Sequence, residues 1–139
     1  MSHPMPHGAM LDANFMFTKL VVADLDTAAD FYTSVFGFVE MHRVEAAIDG
    51  RAVSEIIYMP TSEGGPMFIL AKFLDSDKPA TGETLLGFGA GDLDGLIARA
   101  IKAGGALRQR IDAQPGVPFH TAFLTDPEGH VVQVSQPVG

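Results

Sequence analysis

The chain has no cysteine among its 139 residues. That excludes a disulfide framework, a thiolate metal centre and a catalytic thiol. Basic side chains are scarce too, nine Lys and Arg against 17 Asp and Glu, for a formal charge of −8 with histidine neutral. Such a field repels phosphates, so neither nucleic acid nor an anionic membrane is expected as a partner. Read alone, the charge balance favours a cationic ligand or simply a well-solvated surface. Long apolar runs are missing as well: the longest, around Leu20–Ala23 and Met67–Ala71, are strand-length, whereas a membrane-spanning helix needs about 20 residues. Residues 1–14 lack the basic head and apolar stretch of a signal peptide and read as a flexible leader, so the expected location is cytoplasmic. What remains is 47% apolar and 19% charged, the composition of one folded domain.

The most informative feature is an internal echo. Val22-Ala23-Asp24-Leu25-Asp26 and Ala90-Gly91-Asp92-Leu93-Asp94 lie 68 residues apart. Each follows a strand-like stretch, Phe15–Val22 and Thr84–Ala90, and each opens a helical pattern. Ala28, Phe31, Tyr32 and Val35 fall at helical spacing in the first, and Leu93, Leu96, Ile97, Ala100 and Ile101 in the second. Helices are expected near Asp26–Phe36 and Asp94–Ala103, with Asp26 and Asp94 as their N-caps. Strand patterns follow: Val39–Ala46, Ala52–Met59 and Met67–Phe73, then Leu107–Ile111, His120–Leu124 and Val131–Ser135. Asp49-Gly50 marks a hairpin. The chain therefore divides into a leader (1–14), a first βαβββ module (15–74), a linker (75–83) and a second βαβββ module (84–139), together one domain. Neither module can comfortably bury its own sheet face. The expected fold is α+β, with two curved mixed sheets facing each other around a concave cavity.

The residues that carry the echo also carry a resemblance. The opening "KLVVADLDTAADFYTSVFGF" and the closing "TDPEGHVVQVSQ" resemble the vicinal oxygen chelate superfamily. That group includes glyoxalase I, the extradiol dioxygenases, methylmalonyl-CoA epimerase, fosfomycin-modifying enzymes and bleomycin-binding resistance proteins. The resemblance spans Phe15 to Gln136. It implies the doubled fold and a homodimer, but not a reaction, because both motifs are turn and core features.

In the metal-dependent members, each module offers two ligands from its first and last strands. Carried over, these positions are Phe17, Ile69, Leu85 and Gln133. A divalent cation needs oxygen or imidazole donors, and three of these four side chains have none. A register slip of one residue does not help, because Met16, Thr18, Leu70, Thr84 and Leu86 are no better. No metal and no other cofactor is expected.

Strand alternation places Phe17 and Lys19 on the cavity side, with Leu20 and Val22 under the helix. The related positions in the second module are Leu85, Gly87 and Gly89. Two glycines in a strand mark either a close approach of a ligand to the backbone or volume filled by a neighbour such as Phe119 or Phe123. Lys19 needs a carboxylate partner, a route to solvent or an anionic ligand. The expected ligand-binding residues are thus Phe17, Lys19, Ile69, Leu85, Gly87, Gly89 and Gln133. Among the histidines, His42 reads as a strand residue and His130 as an outward turn residue, which leaves His120 as a weak catalytic candidate.

These features together suggest a metal-free binding or resistance-type protein with a small organic molecule between its modules. The alternatives are a lyase, isomerase or dioxygenase-type enzyme of the same superfamily, and a protein-interaction module whose cavity is closed.

Overall fold

A computed structural model describes Gly8, residues 15–78 and residues 84–138. The rest of the leader, the 79–83 part of the linker and the final glycine lie outside the described residues. The first half runs β1 (Phe17–Val21), α1 (Leu25–Phe36), β2 (Glu40–Ile48), β3 (Arg51–Tyr58) and β4 (Met67–Phe73). The second repeats it as β5 (Leu85–Gly89), α2 (Leu93–Lys102), β6 (Ala106–Ile111), β7 (Phe119–Thr125) and β8 (Val131–Pro137). Two four-stranded mixed sheets result, ordered β1-β4-β3-β2 and β5-β8-β7-β6. In each, the first strand pairs in parallel with the last and the others pair antiparallel.

Neither sheet closes, and no strand of one lies against a strand of the other; the backbones that come together across the modules are those of the two helices. A single core runs beneath both sheets, because each turns one apolar face toward the helices. Leu20, Val22, Phe68 and Leu70 from the first sheet share it with Ala122, Leu124, Val132 and Val134 from the second. Phe36 at the end of α1 stacks on Phe88 of β5 with ring centres 3.8 Å apart, a contact between modules worth about 1 kcal/mol beyond its buried area.

The helices begin one residue before the expected start, and the cap is the first aspartate of each Asp-Leu-Asp. Asp24 accepts from the Thr27 N–H at 3.0 Å and Asp92 from the Gly95 N–H at 3.0 Å. Asp26 and Asp94 sit in the first turn instead, where they favour the positive end of the helix dipole. Gly37 ends α1 with φ 73°, the left-handed conformation that glycine tolerates best. Ala28, Phe31, Tyr32 and Val35 are all buried. In α2 the buried face is Leu93, Leu96, Ile97 and Ala100, whereas Ile101 is 53% exposed: it lies one step past the apolar stripe. Asp49 and Gly50 join β2 to β3 with φ of 50° and 78°, the positive values that a tight hairpin turn requires.

Candidate ligand-binding faces

The face of each sheet turned away from the helices carries the candidate residues. On the first sheet, Phe17 pairs with Met67 and Lys19 with Ile69. Ile69 pairs in turn with Ile57, and Ala71 with Glu55. Strand alternation puts Phe17, Lys19, Val21, Ile57, Glu55 and Ile69 on one surface. Ile69 is 4% exposed and Phe17 43%, so the floor is packed and the rim open. Lys19 Nζ stands 2.6 Å from Glu55 Oε2, with the lysine side chain 28% exposed and the glutamate 6%. The ammonium also lies 5.4 Å from the centre of the Phe17 ring, within cation–π range. Glu55 thus supplies the carboxylate partner that Lys19 needs. Sequence reasoning passed over it, although a single carboxylate among the apolar residues of β3 was the available signal.

On the second sheet, Gly87 pairs with Gln133, Leu85 with Val131 and Gly89 with Ser135. Gln133 pairs on its other side with Phe123, and Ser135 with Thr121. Thr121 and Ser135 share a hydrogen bond of 3.2 Å between their hydroxyls. A Cβ placed at Gly87 or Gly89 would meet no atom within 4 Å. The volume that Phe119 or Phe123 could have filled is open at both glycines. Gly87 and Gly89 form a strip of bare backbone on edge strand β5, flanked by Gln133 and Ser135 and bordered by Leu85, which is 56% exposed.

The structure therefore assembles the seven candidates as two groups: Phe17, Lys19 and Ile69 on one face, and Leu85, Gly87, Gly89 and Gln133 on the other. No strand contact joins the groups. A crevice of about 360 Å³ opens along β5 rather than on the broad sheet face, lined by Gly87, Gly89, Phe36, Thr61, Asp92 and Arg99 among others. The Arg99 guanidinium there donates to the Val35 carbonyl at 3.0 and 3.3 Å, and so closes the C-terminal end of α1.

His120 does not join either group. It pairs with Gln136, one step out of phase with Phe119, Thr121 and Phe123, and Gln136 faces the helices, accepting the Leu93 N–H at 2.8 Å. His120 Nδ1 accepts the Ala113 N–H at 3.0 Å, which fixes this nitrogen as unprotonated. The Asp112 carboxylate lies 3.7 Å from the same nitrogen. His42 is exposed on β2.

His130 reverses the expectation that it points outward: it is 4% exposed. Asp126 folds the β7–β8 turn around its own carboxylate, with Oδ1 accepting the backbone N–H of Glu128 and of His130, each at 2.9 Å, and this draws the ring inward. Nδ1 lies 2.8 Å from Asp126 Oδ2, and Nε2 lies 3.0 Å from the Val21 carbonyl. Tyr32 donates to the same carboxylate at 2.9 Å. Glu128 accepts from the Ala23 and Asp24 N–H groups, each at 2.8 Å. The turn is a clasp between modules, with its polar groups spent on one another.

The positions that hold metal in the resembling enzymes do not fit one here. Phe17 and Ile69 share the first sheet, Leu85 and Gln133 the second, and Gln133 alone carries a donor. Among the described residues no three His, Asp or Glu side chains converge. One amide oxygen is too few for a divalent cation.

A family model described as Glyoxalase/Bleomycin resistance protein/Dioxygenase superfamily matches residues 14–134. The chain belongs to this superfamily. No curated protein sequence matches it. Solved structures share the superfamily's doubled fold. A glyoxalase family protein from Bacillus cereus is 19% identical, covers 98% of this chain and 100% of its own, and superposes with a TM-score of 0.75. TnmS3, an antibiotic binding protein from a Streptomyces species, is 21% identical over 94% of this chain and 100% of its own, with a TM-score of 0.68. A variant of glyoxalase I from Zea mays is 19% identical, with a TM-score of 0.70 over 88% of this chain and 46% of the larger maize chain. At these identities the likeness is one of fold. No helix of the described residues is long and apolar enough to cross a membrane.

Proposed function

We propose that this superfamily member is a metal-free, cytoplasmic homodimer that binds a small organic molecule. The residues that take the ligand are Phe17, Lys19 and Ile69 on one sheet face and Leu85, Gly87, Gly89 and Gln133 on the other. The observation that carries this reading is the open backbone at Gly87 and Gly89 beside Gln133. Open glycines next to a few directional polar groups and apolar side chains make a small-molecule surface, and they speak against an interaction module with a closed cavity. The donor-poor positions Phe17, Ile69 and Leu85 support binding without a metal, and the orientation of His120 toward the helices speaks against acid–base work by it. The antibiotic-binding description of TnmS3 is consistent with the same use of the fold. Exposed Phe15, Met16, Phe17 and Leu85 give a second copy apolar surface to cover.

Elemental analysis of the purified protein, joined to a thermal-shift screen of small aromatic and heteroaromatic compounds, tests the proposal. Substoichiometric Zn, Ni, Mn and Fe together with ligand-induced stabilisation is the expected result. Stoichiometric metal overturns it.

A further inference from the structure

We infer that the face bearing Lys19 selects an uncharged ligand through a carbonyl-type oxygen, with the Lys19–Glu55 ion pair as the polar anchor. The inference rests on the small-molecule reading above and specifies its ligand. A lysine ammonium has three N–H donors. Its nitrogen lies 2.6 Å from Glu55 Oε2 as an ion pair, and among the described residues no acceptor takes a hydrogen bond from its N–H groups. The Phe17 ring also lies near the ammonium, its centre 5.4 Å away. Glu55 sits in the floor at 5% exposure while the lysine reaches toward the open side. The pair therefore points its donors outward, and its unit charges cancel.

That cancellation decides what the face accepts. A carboxylate would surrender its hydration to reach an ammonium already neutralised by Glu55, and would do so in a chain of charge −8. An organic cation would meet the ammonium directly. A carbonyl oxygen loses little hydration and gains a hydrogen bond from a charged donor, a stronger bond than between neutral groups. The remaining charges on this face leave the balance unchanged. Arg51 lies 3.8 Å over the Phe73 ring and pairs with Asp75 at 2.7 Å, and His42 is exposed on the outer strand. The opposite face offers Gln133, Ser135 and Thr121, all uncharged. The acidic surface and the inward lysine, which taken separately point to opposite ligand charges, thus converge on a neutral ligand.

Four compounds on one flat skeleton test this: 2-acetylnaphthalene, 2-naphthoate, 2-naphthylmethylammonium and naphthalene. Each is titrated at neutral pH against the full chain by protein-observed NMR. The ketone is expected to bind about tenfold more tightly than each of the other three. Glu55→Gln leaves Lys19 without its counter-charge, so naphthoate is expected to overtake the ketone by about tenfold. The double substitution Lys19→Met/Glu55→Leu replaces the pair with apolar groups of similar size, which folded proteins tolerate well. It is expected to erase the ketone's advantage while naphthalene binding persists, and it carries the test if Glu55→Gln fails to fold. Naphthoate or the ammonium binding the unaltered protein as tightly as the ketone would overturn the inference, as would an unchanged order in the variants. Naphthalene binding with no advantage for the ketone removes the anchor alone. Failure of all four to bind removes the small-molecule reading and the anchor with it.

Discussion

The Nε2 of His130 lies 3.0 Å from the Val21 carbonyl, and this bond ties the start of β8 to the end of β1. The other ring nitrogen faces the Asp126 carboxylate at 2.8 Å. Since a carbonyl and a carboxylate both accept, the ring satisfies both only as the imidazolium. Burial works against that charge, but the Asp126 carboxylate and the Val21 carbonyl outweigh it, so the His130 pKa rises above its ordinary 6.5. Burial would raise Asp126, yet its bonds to His130 and Tyr32 hold it below 3.8.

The signs give a pH window. A raised histidine contributes stability that is full below 6.5 and is lost as pH climbs through its folded-state value; a lowered aspartate contributes stability that is full above 3.8 and is lost as pH falls through its own. The melting temperature is expected to fall as pH rises above about 6.5, and His130→Asn is expected to flatten that slope. Parallel pH profiles for the two proteins would contradict the clasp.

The caps make a sharper pair. Asp24→Ala removes the oxygen that holds the Thr27 N–H and is expected to cost about 1 kcal/mol in urea unfolding. The Asp26 side chain is 88% exposed and pairs with Arg43 at 3.7 Å, so Asp26→Ala is expected to change stability by less than about 0.5 kcal/mol. Equal losses would show that both aspartates cap.

The repeat made much of this legible. The 68-residue echo, the apolar periodicities and Asp49-Gly50 each report local backbone preferences, and each landed on the element expected. Even the misplaced caps erred by two residues within the right Asp-Leu-Asp, because either aspartate can accept a helix-start N–H. The shared sheet face of Phe17 and Lys19, and that of Gly87 and Gln133, followed from strand period alone. The pairing of Glu55 and the burial of His130 were not legible, since both depend on partners far along the chain: Lys19 is 36 residues from Glu55, and Val21 is 109 from His130. Charge pairing across a sheet leaves no trace in local spacing. His120 lies one residue out of phase with Phe119, Thr121 and Phe123, so alternation turns it toward the helices.

Assembly gives a further expectation. Light scattering at micromolar concentration is expected to report twice the chain mass of 14.8 kDa. A stable particle of 14.8 kDa would contradict the homodimer.

A single amide cannot become a metal centre by one substitution. Gln133→Glu adds one carboxylate while Phe17, Ile69 and Leu85 still offer no donor, and is expected to leave Zn and Ni binding weak, because these cations need several donors. Tight stoichiometric uptake by this variant would show that other donors converge there.

The most direct test of the central claim is Gly87→Leu. The new side chain projects into open space on an edge strand, so the melting temperature without ligand is expected to stay nearly unchanged, within about 0.5 kcal/mol of stability. The same side chain covers the bare strip beside Gln133. Thermal melts with a compound that stabilises the unaltered protein are therefore expected to show no stabilisation of the variant. A Gly87→Leu protein that binds that compound with unchanged affinity would contradict the account.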